Sequence, residues 1–341
     1  MQGGERQLRL PKYQFKYSIM KKSFLNPQTH IGLQPIRVLK FNILHQVENT
    51  HPTFMAEYNA LLKKHGLKSC INYDYTEGPL YNPEHPDNPL TPFVDGNKEI
   101  TIQETFLSYL WAMCYSLMVI HEEFVHKPML NRLTGSRHQI DNVSLDAAYK
   151  LHKYGLSLIE SYMPWDKQNL PNPEEYTEAE AFYIERANGL FRVAAGFIIC
   201  HELGHIKCGH LDDIDNCVPK ADPVMEEIQA DHDAFFTMIR GATDEKWKIN
   251  YGAGMLIGFC SILLLNSKLQ SQRHPDSDDR IETVLRQLEL DDVSPLWGIA
   301  SLAFKLWDDH YEKKLVWPKE AEHFKAIFYQ IHEQLKAYKL P

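Results

Sequence analysis

Apolar positions along the chain fall mostly into long runs with helical spacing; alternating, strand-like stretches are few. Residues Gly189 to Cys200 are largely apolar and lack proline, which predicts a buried helix continuing straight into His201. Asp222-Pro223 reads as an N-cap followed by proline at the first helical position. The helix it opens carries Val224, Met225, Ile228, Phe235, Phe236 and Ile239 and stops at Gly241. Ala321, Phe324, Ile327, Phe328, Ile331 and Leu335 recur at three- and four-residue intervals, the pattern of a helix packed by one face. Two other apolar stretches, Phe106 to Ile120 and Tyr251 to Leu265, run 15 residues each. Both fall short of the ~20 residues a bilayer crossing needs, so they predict core helices and no stable membrane span.

Strand signals are short. Ile36 to Leu44 is a strand-like run, and Glu99 to Gln103 is a second, with Ile100-Thr101-Ile102 as a candidate edge strand for an extended peptide. Pro79, Pro83, Pro86, Pro89 and Pro92 forbid helix and predict an extended loop. Helical character begins at Thr105 and is interrupted by a second loop containing Pro164, Pro171 and Pro173. The expectation is a predominantly α-helical α+β fold with a small edge sheet. It divides into a mixed region with the proline loop (1–95), a core (96–290) and a C-terminal helical extension packed on it (291–341). No internal repeat, low-complexity tract or glycine-rich phosphate loop is present in the sequence.

Composition narrows the setting. With 44% apolar and 24% charged residues the chain reads as an ordinary globular protein. A net charge of −9 argues against a nucleic-acid partner, which calls for a basic face. Six scattered cysteines without a Cys-x-x-Cys pair read as reduced thiols. No apolar stretch precedes Leu8, so the start is no signal peptide, and a cytoplasmic location is expected.

The chemistry is concentrated in His201-Glu202-Leu203-Gly204-His205-Ile206-Lys207-Cys208-Gly209-His210. On a helix, i and i+4 differ by only ~40°, so His201 and His205 share a face and can take adjacent corners of a tetrahedral zinc ion. Glu202 then stands on the rim, placed to act as a general base. Two histidines leave such a site one protein ligand short. Glu227 on the next helix is the natural third, with Glu226 as the competitor. Asp231, one turn past Glu227, is placed to accept the distal N–H of a ligand histidine. The small Ala230 lets the two helices approach closely.

Other tempting residues are set aside. His121 and His126 are five apart, ~140° on an α-helix, and do not share a metal. His210 stands five after His205 and is likewise off the ligand face, at the helix end. Cys208 and Cys217 lie near the motif as candidate extra soft ligands, but a closed thiolate site would leave Glu202 without a role. His274 and Arg280 are candidates for stabilising an oxyanion, with Arg280 alternatively bracing Asp231. The plainer reading of this stretch is a proline-ended loop with Asp276 or Ser277 capping a helix.

The His-Glu-x-x-His motif followed by Glu227-x-x-Ala230-Asp231 resembles the gluzincin zinc metallopeptidases. Within that group it resembles the Lit-type phage-exclusion peptidases and, more distantly, the ImmA/IrrE-type regulator-cleaving peptidases. Residues Ile100 to Trp111 and His274 to Ile281 add to the Lit likeness, which spans roughly 98 to 285. The resemblance implies zinc held by His201, His205 and Glu227, with Glu202 as general base, and a core that is a zinc peptidase. It implies a protein or peptide substrate, a translation factor in the founding case, and admits an activating peptide or partner. Two alternatives stay open: cleavage of a transcriptional regulator, and a zinc-binding interaction protein without catalysis.

Overall fold

The computed structural model describes residues 22–23, 31–65, 67, 71–82, 90–211, 222–271, 273–318 and 321–339. Pro83, Pro86, Pro89, Cys70 and Cys217 lie outside the described residues. The fold is predominantly helical with a small sheet, an α+β arrangement as the patterning predicts.

Its axis is α6 (Glu178–Cys208), a 31-residue helix. A capping box starts it: the Thr177 hydroxyl accepts from the Glu180 amide at 3.3 Å, and the Glu180 carboxylate accepts from the Thr177 amide at 2.7 Å. The predicted apolar run forms its second half, where Phe191, Val193 to Leu203 and Ile206 are all buried. A helix apolar on every side must be surrounded, and α6 is. It packs against α1 (Lys40–Glu48), α3 (Glu104–Ile120), α7 (Pro223–Ile239) and α8 (Glu245–Leu264). Asp222 caps α7 as predicted, accepting from the Val224 amide at 3.0 Å with Pro223 at the first position. Further out, α2 (Phe54–His65) touches α6, α5 (Asn142–Glu160) packs on α3, and α9 (Ser277–Gln287) lies on α8. The tail helix, α11 (Phe324–Lys339), packs on α10 (Pro295–Tyr311) through Phe324, Phe328, Ile331 and Leu335. One continuous apolar core runs from Ile36 to Leu335.

Three sequence expectations are corrected. Ile36 to Leu44 forms no strand; it is a 3-10 turn (Pro35–Leu39) leading into α1. Its buried residues Ile36, Leu39, Ile43 and Val47 follow helical spacing, which outweighs the β-branched content. The sheet also differs from expectation. β4 (Ile100–Gln103) lies in the middle, parallel to β2 (Asn72–Asp74) and antiparallel to β3 (Phe93–Val94). Ile100 and Ile102 are therefore buried, and β3 is the edge that touches α6. The stretch Tyr251 to Leu265 belongs to α8, which begins earlier, at Glu245, and ends at Leu264, so by length and composition alone that helix could cross a membrane. In the fold, 67% of its apolar window is buried, chiefly against α6, α9 and α10. The remaining strands, β1 (Lys22–Ser23) and β5 (Glu175–Tyr176), pair antiparallel just before α6.

Candidate active site

The last two turns of α6 carry His201, Glu202 and His205, and α7 crosses them at close range. Gly204 makes the crossing possible: a Cβ there would stand 3.1 Å from the Ala230 Cα, tighter than side chains normally tolerate. With glycine facing alanine, Glu227 reaches the imidazoles. His201 Nε2 stands 3.1 Å from His205 Nε2 and 3.2 Å from Glu227 Oε2, and His205 Nε2 stands 3.4 Å from Glu227 Oε1. Ligands ~2.0–2.1 Å from a tetrahedral centre lie ~3.3–3.4 Å from each other, so the two imidazole nitrogens with one Glu227 carboxylate oxygen could hold one such cation. Of the two adjacent glutamates, α7 delivers Glu227 to this cluster; Glu226 takes no part in it.

Around the cluster the charges are ordered. Asp231, one turn beyond Glu227, places Oδ1 2.8 Å from His201 Nδ1. Arg280, from the first turn of α9, forks onto Asp231: Nε donates to Oδ2 at 2.8 Å and Nη2 to Oδ1 at 2.6 Å. The guanidinium lies over the Phe259 ring, 4.7 Å from its centroid. Burial favours the neutral acid at Asp231, but Arg280 and His201 outweigh it and hold the carboxyl below its ordinary range. Burial would likewise depress His201, yet hydrogen bonds to Asp231 and Glu227 push it up to about 10. Glu227, opposed by burial, is held well below the usual carboxylate range by its bonds to His201, His205 and His274. Without a metal the set balances its own charge: His201 takes up a proton, and Glu227 and Asp231 stay ionised beside it.

Glu202 differs from these. Burial pushes its carboxyl up to about 7, near the value that suits a base working at neutral pH. Its Oε2 accepts the Val94 amide of β3 at 2.9 Å, a contact no sequence signal announced. Arg280 acts as the brace on Asp231, one of its two expected roles. His274 stands with Nδ1 2.9 Å from Glu227 Oε2 and its side chain 39% exposed, on the rim of the site. Asp276 takes the N-cap position of α9, without a side-chain capping bond. Beside His274 and Arg280 opens a pocket of about 460 Å³, walled by Val224, Ile228, Phe259 and Val284.

The helix ends at Gly209-His210 as expected, and among the described residues His210, His121 and His126 stay outside the donor clusters, but the ring positions inferred from spacing are corrected in two places. Gly209 adopts a left-handed conformation (φ 79°), and the amides of Gly209 and His210 bond back to the carbonyls of Ile206 and His205. This turn swings His210 back over the helix end, so its Nδ1 lies 2.9 Å from His205 Nδ1. Angles counted along a continuing helix do not apply past it. His121 to His126 form a π-helical segment, so the two rings stack at 5.9 Å instead of diverging. Among the described residues they still join no cluster of metal donors: His121 is buried against Phe324 and His126 faces Glu122. Cys208 is exposed and outside the His201–His205–Glu227 cluster.

Among known proteins, no curated sequence and no solved structure matches the chain significantly. A family model described as Peptidase U49 matches residues 100 to 300. The matched span begins with β4, contains α6, α7 and α9 with every residue of the cluster, and ends inside α10. It covers more than half of the 341 residues, and the chain belongs to the peptidase U49 family.

Proposed function

We propose that this member of a peptidase family is a zinc-dependent endopeptidase of the Lit type, acting on an intracellular protein. The observation that carries this reading is the cluster of His201 Nε2, His205 Nε2 and the Glu227 carboxylate, whose Oε2 and Oε1 stand 3.2 and 3.4 Å from the two imidazoles in turn, beside a buried glutamate. His201, His205 and Glu227 would hold the metal, leaving a fourth position for water or substrate. When bound, zinc supplies Lewis acidity, polarising a peptide carbonyl and bringing the pKa of water toward ~7.

The chain's own groups do the rest. Val94 holds Oε2 of Glu202, which leaves Oε1 to take the proton as water attacks the carbonyl carbon. The same oxygen returns that proton to the amine nitrogen as the C–N bond breaks. Asp231, held by Arg280, keeps His201 oriented with Nε2 toward the cluster. With Arg280 so engaged, His274 is the rim group that meets the substrate oxygen as charge develops there.

Metal content by plasma mass spectrometry on the wild type and Glu227→Ala tests the reading. About one zinc per chain, lost in the variant, is expected from a three-ligand site. A wild type that takes no zinc after reloading would leave the motif as core packing and favour an interaction protein.

A further inference from the structure

His201 and His205 differ in what stands behind them. His201 has the anionic Asp231 at its far nitrogen, braced by Arg280. His205 has a second histidine: its Nδ1 lies 2.9 Å from Nδ1 of His210, whose Nε2 lies 2.9 Å from Oε1 of Gln229. The two rings meet edge to face, with centroids 5.1 Å apart and planes at 70°.

A neutral imidazole carries one N–H and one bare nitrogen, so this line of atoms fixes where its protons sit. The carbonyl oxygen of Gln229 can only accept, which places the proton of His210 on Nε2 and leaves its Nδ1 bare. A bare Nδ1 can likewise only accept, which places the proton of His205 on Nδ1. His205 Nε2, the atom that faces His201 and Glu227, is then bare and able to bind a metal. We infer that His210 and Gln229 are positioning residues that hold His205 in its metal-binding tautomer through a neutral histidine–amide relay. The inference rests on the ligand set proposed above. His210 touches neither substrate nor metal; it acts through His205. The αL turn at Gly209 is what brings it there.

The geometry supplies a rescue test. In asparagine, Oδ1 stands two bonds from Cβ, where Nδ1 stands in histidine. His210→Asn therefore presents the same acceptor to His205 with no tautomer to choose, whereas His210→Ala presents none. Zinc affinity is measured by competition with a chromophoric chelator, alongside the melting temperature of the metal-free chain. Loss of a partner behind a ligand histidine typically weakens metal binding by about 10–100-fold, which is the fall expected for His210→Ala. His210→Asn should recover most of it, and Gln229→Leu, a change at an exposed position, should fall between. In the His210→Asn background, Gln229→Leu should cost less than it does in the wild type, because asparagine presents its acceptor without a proton to place.

Zinc held as tightly by His210→Ala as by the wild type would overturn the inference alone. So would His210→Asn binding no better than His210→Ala, or a drop in metal-free melting temperature that accounts for the loss. Wild-type affinity in Gln229→Leu would remove the amide half of the relay. A wild-type chain that binds no zinc would bring down the ligand set and this inference with it.

Discussion

At the α6–α7 crossing, two imidazoles and a carboxylate stand 3.1 to 3.4 Å apart. Where α11 meets the first turn of α9, His332 Nε2 stands 3.2 Å from Asp279 and 3.3 Å from Asp278. By residue type and distance the two clusters are alike, and both could be read as metal sites. The difference is Lys339. Its ammonium lies 2.7 Å from Asp278, 2.9 Å from Asp276 and 3.1 Å from Asp279, so the second cluster already contains a cation. Among the described residues no lysine pairs with the first. There, Arg280 is held on Asp231, behind His201. A cluster of histidine and carboxylate is informative only once the protein's own positive charges have been counted.

Four changes would sharpen or break that contrast. Glu202→Gln has the largest expected effect: turnover falls by about 10²–10⁴-fold, the usual contribution of a general base, while zinc content holds. Proteolysis by a clean preparation of that variant would end the catalytic reading of the first cluster. Arg280→Ala comes next, because it leaves the Asp231 carboxylate buried beside His201 without its partner. A loss of about 3–5 kcal/mol in unfolding free energy, measured by denaturant titration, is expected from such a break. Lys339→Ala should cost less, about 1–3 kcal/mol for a polar group left without its partner, since Asp279 remains partly exposed. Divalent cation added to that variant should restore part of the melting temperature; in the wild type it should have no such effect at this cluster. An unchanged melting temperature would mean that Lys339 is not the occupant.

The smallest effect is a pH dependence. Burial disfavours the charged form of His332, but hydrogen bonds to Asp278 and Asp279 outweigh it and raise the group to about 9. A raised folded-state value stabilises fully below the unfolded value of ~6.5, and the stabilisation is lost as pH climbs through about 9. The metal-free chain should therefore melt lower at alkaline pH than at neutral pH, and His332→Gln should flatten that slope.

Much of this arrangement was legible in the residues. The apolar run before His201, the Asp222-Pro223 start and the small Ala230 each act through local rules, and the fold follows them. The i, i+4 pair held because α6 stays helical through His205. Legibility failed where the backbone departs from a regular helix. Counting angles across Gly209 misplaces the His210 ring, because the chain reverses there. The five-residue spacing of His121 and His126 assumed an α-helix where a π-helical segment stands. β4 looked like an edge because its partners are a two-residue and a three-residue strand, each too short to carry a pattern. The contact between Val94 and Glu202 spans 108 positions and uses no side chain of Val94, so nothing in the residue type could signal it.

That last contact has a consequence for how the protein can drift. The group that Val94 lends to Glu202 is a main-chain amide, which every residue type except proline also possesses. Substitution at position 94 can therefore proceed through most of the amino-acid alphabet without withdrawing the hydrogen bond. Packing of the half-buried side chain on the core still selects among residues there, but the anchor on the base does not, and identity between relatives would understate what the position does. Val94→Pro is the one replacement in which the hidden constraint would surface.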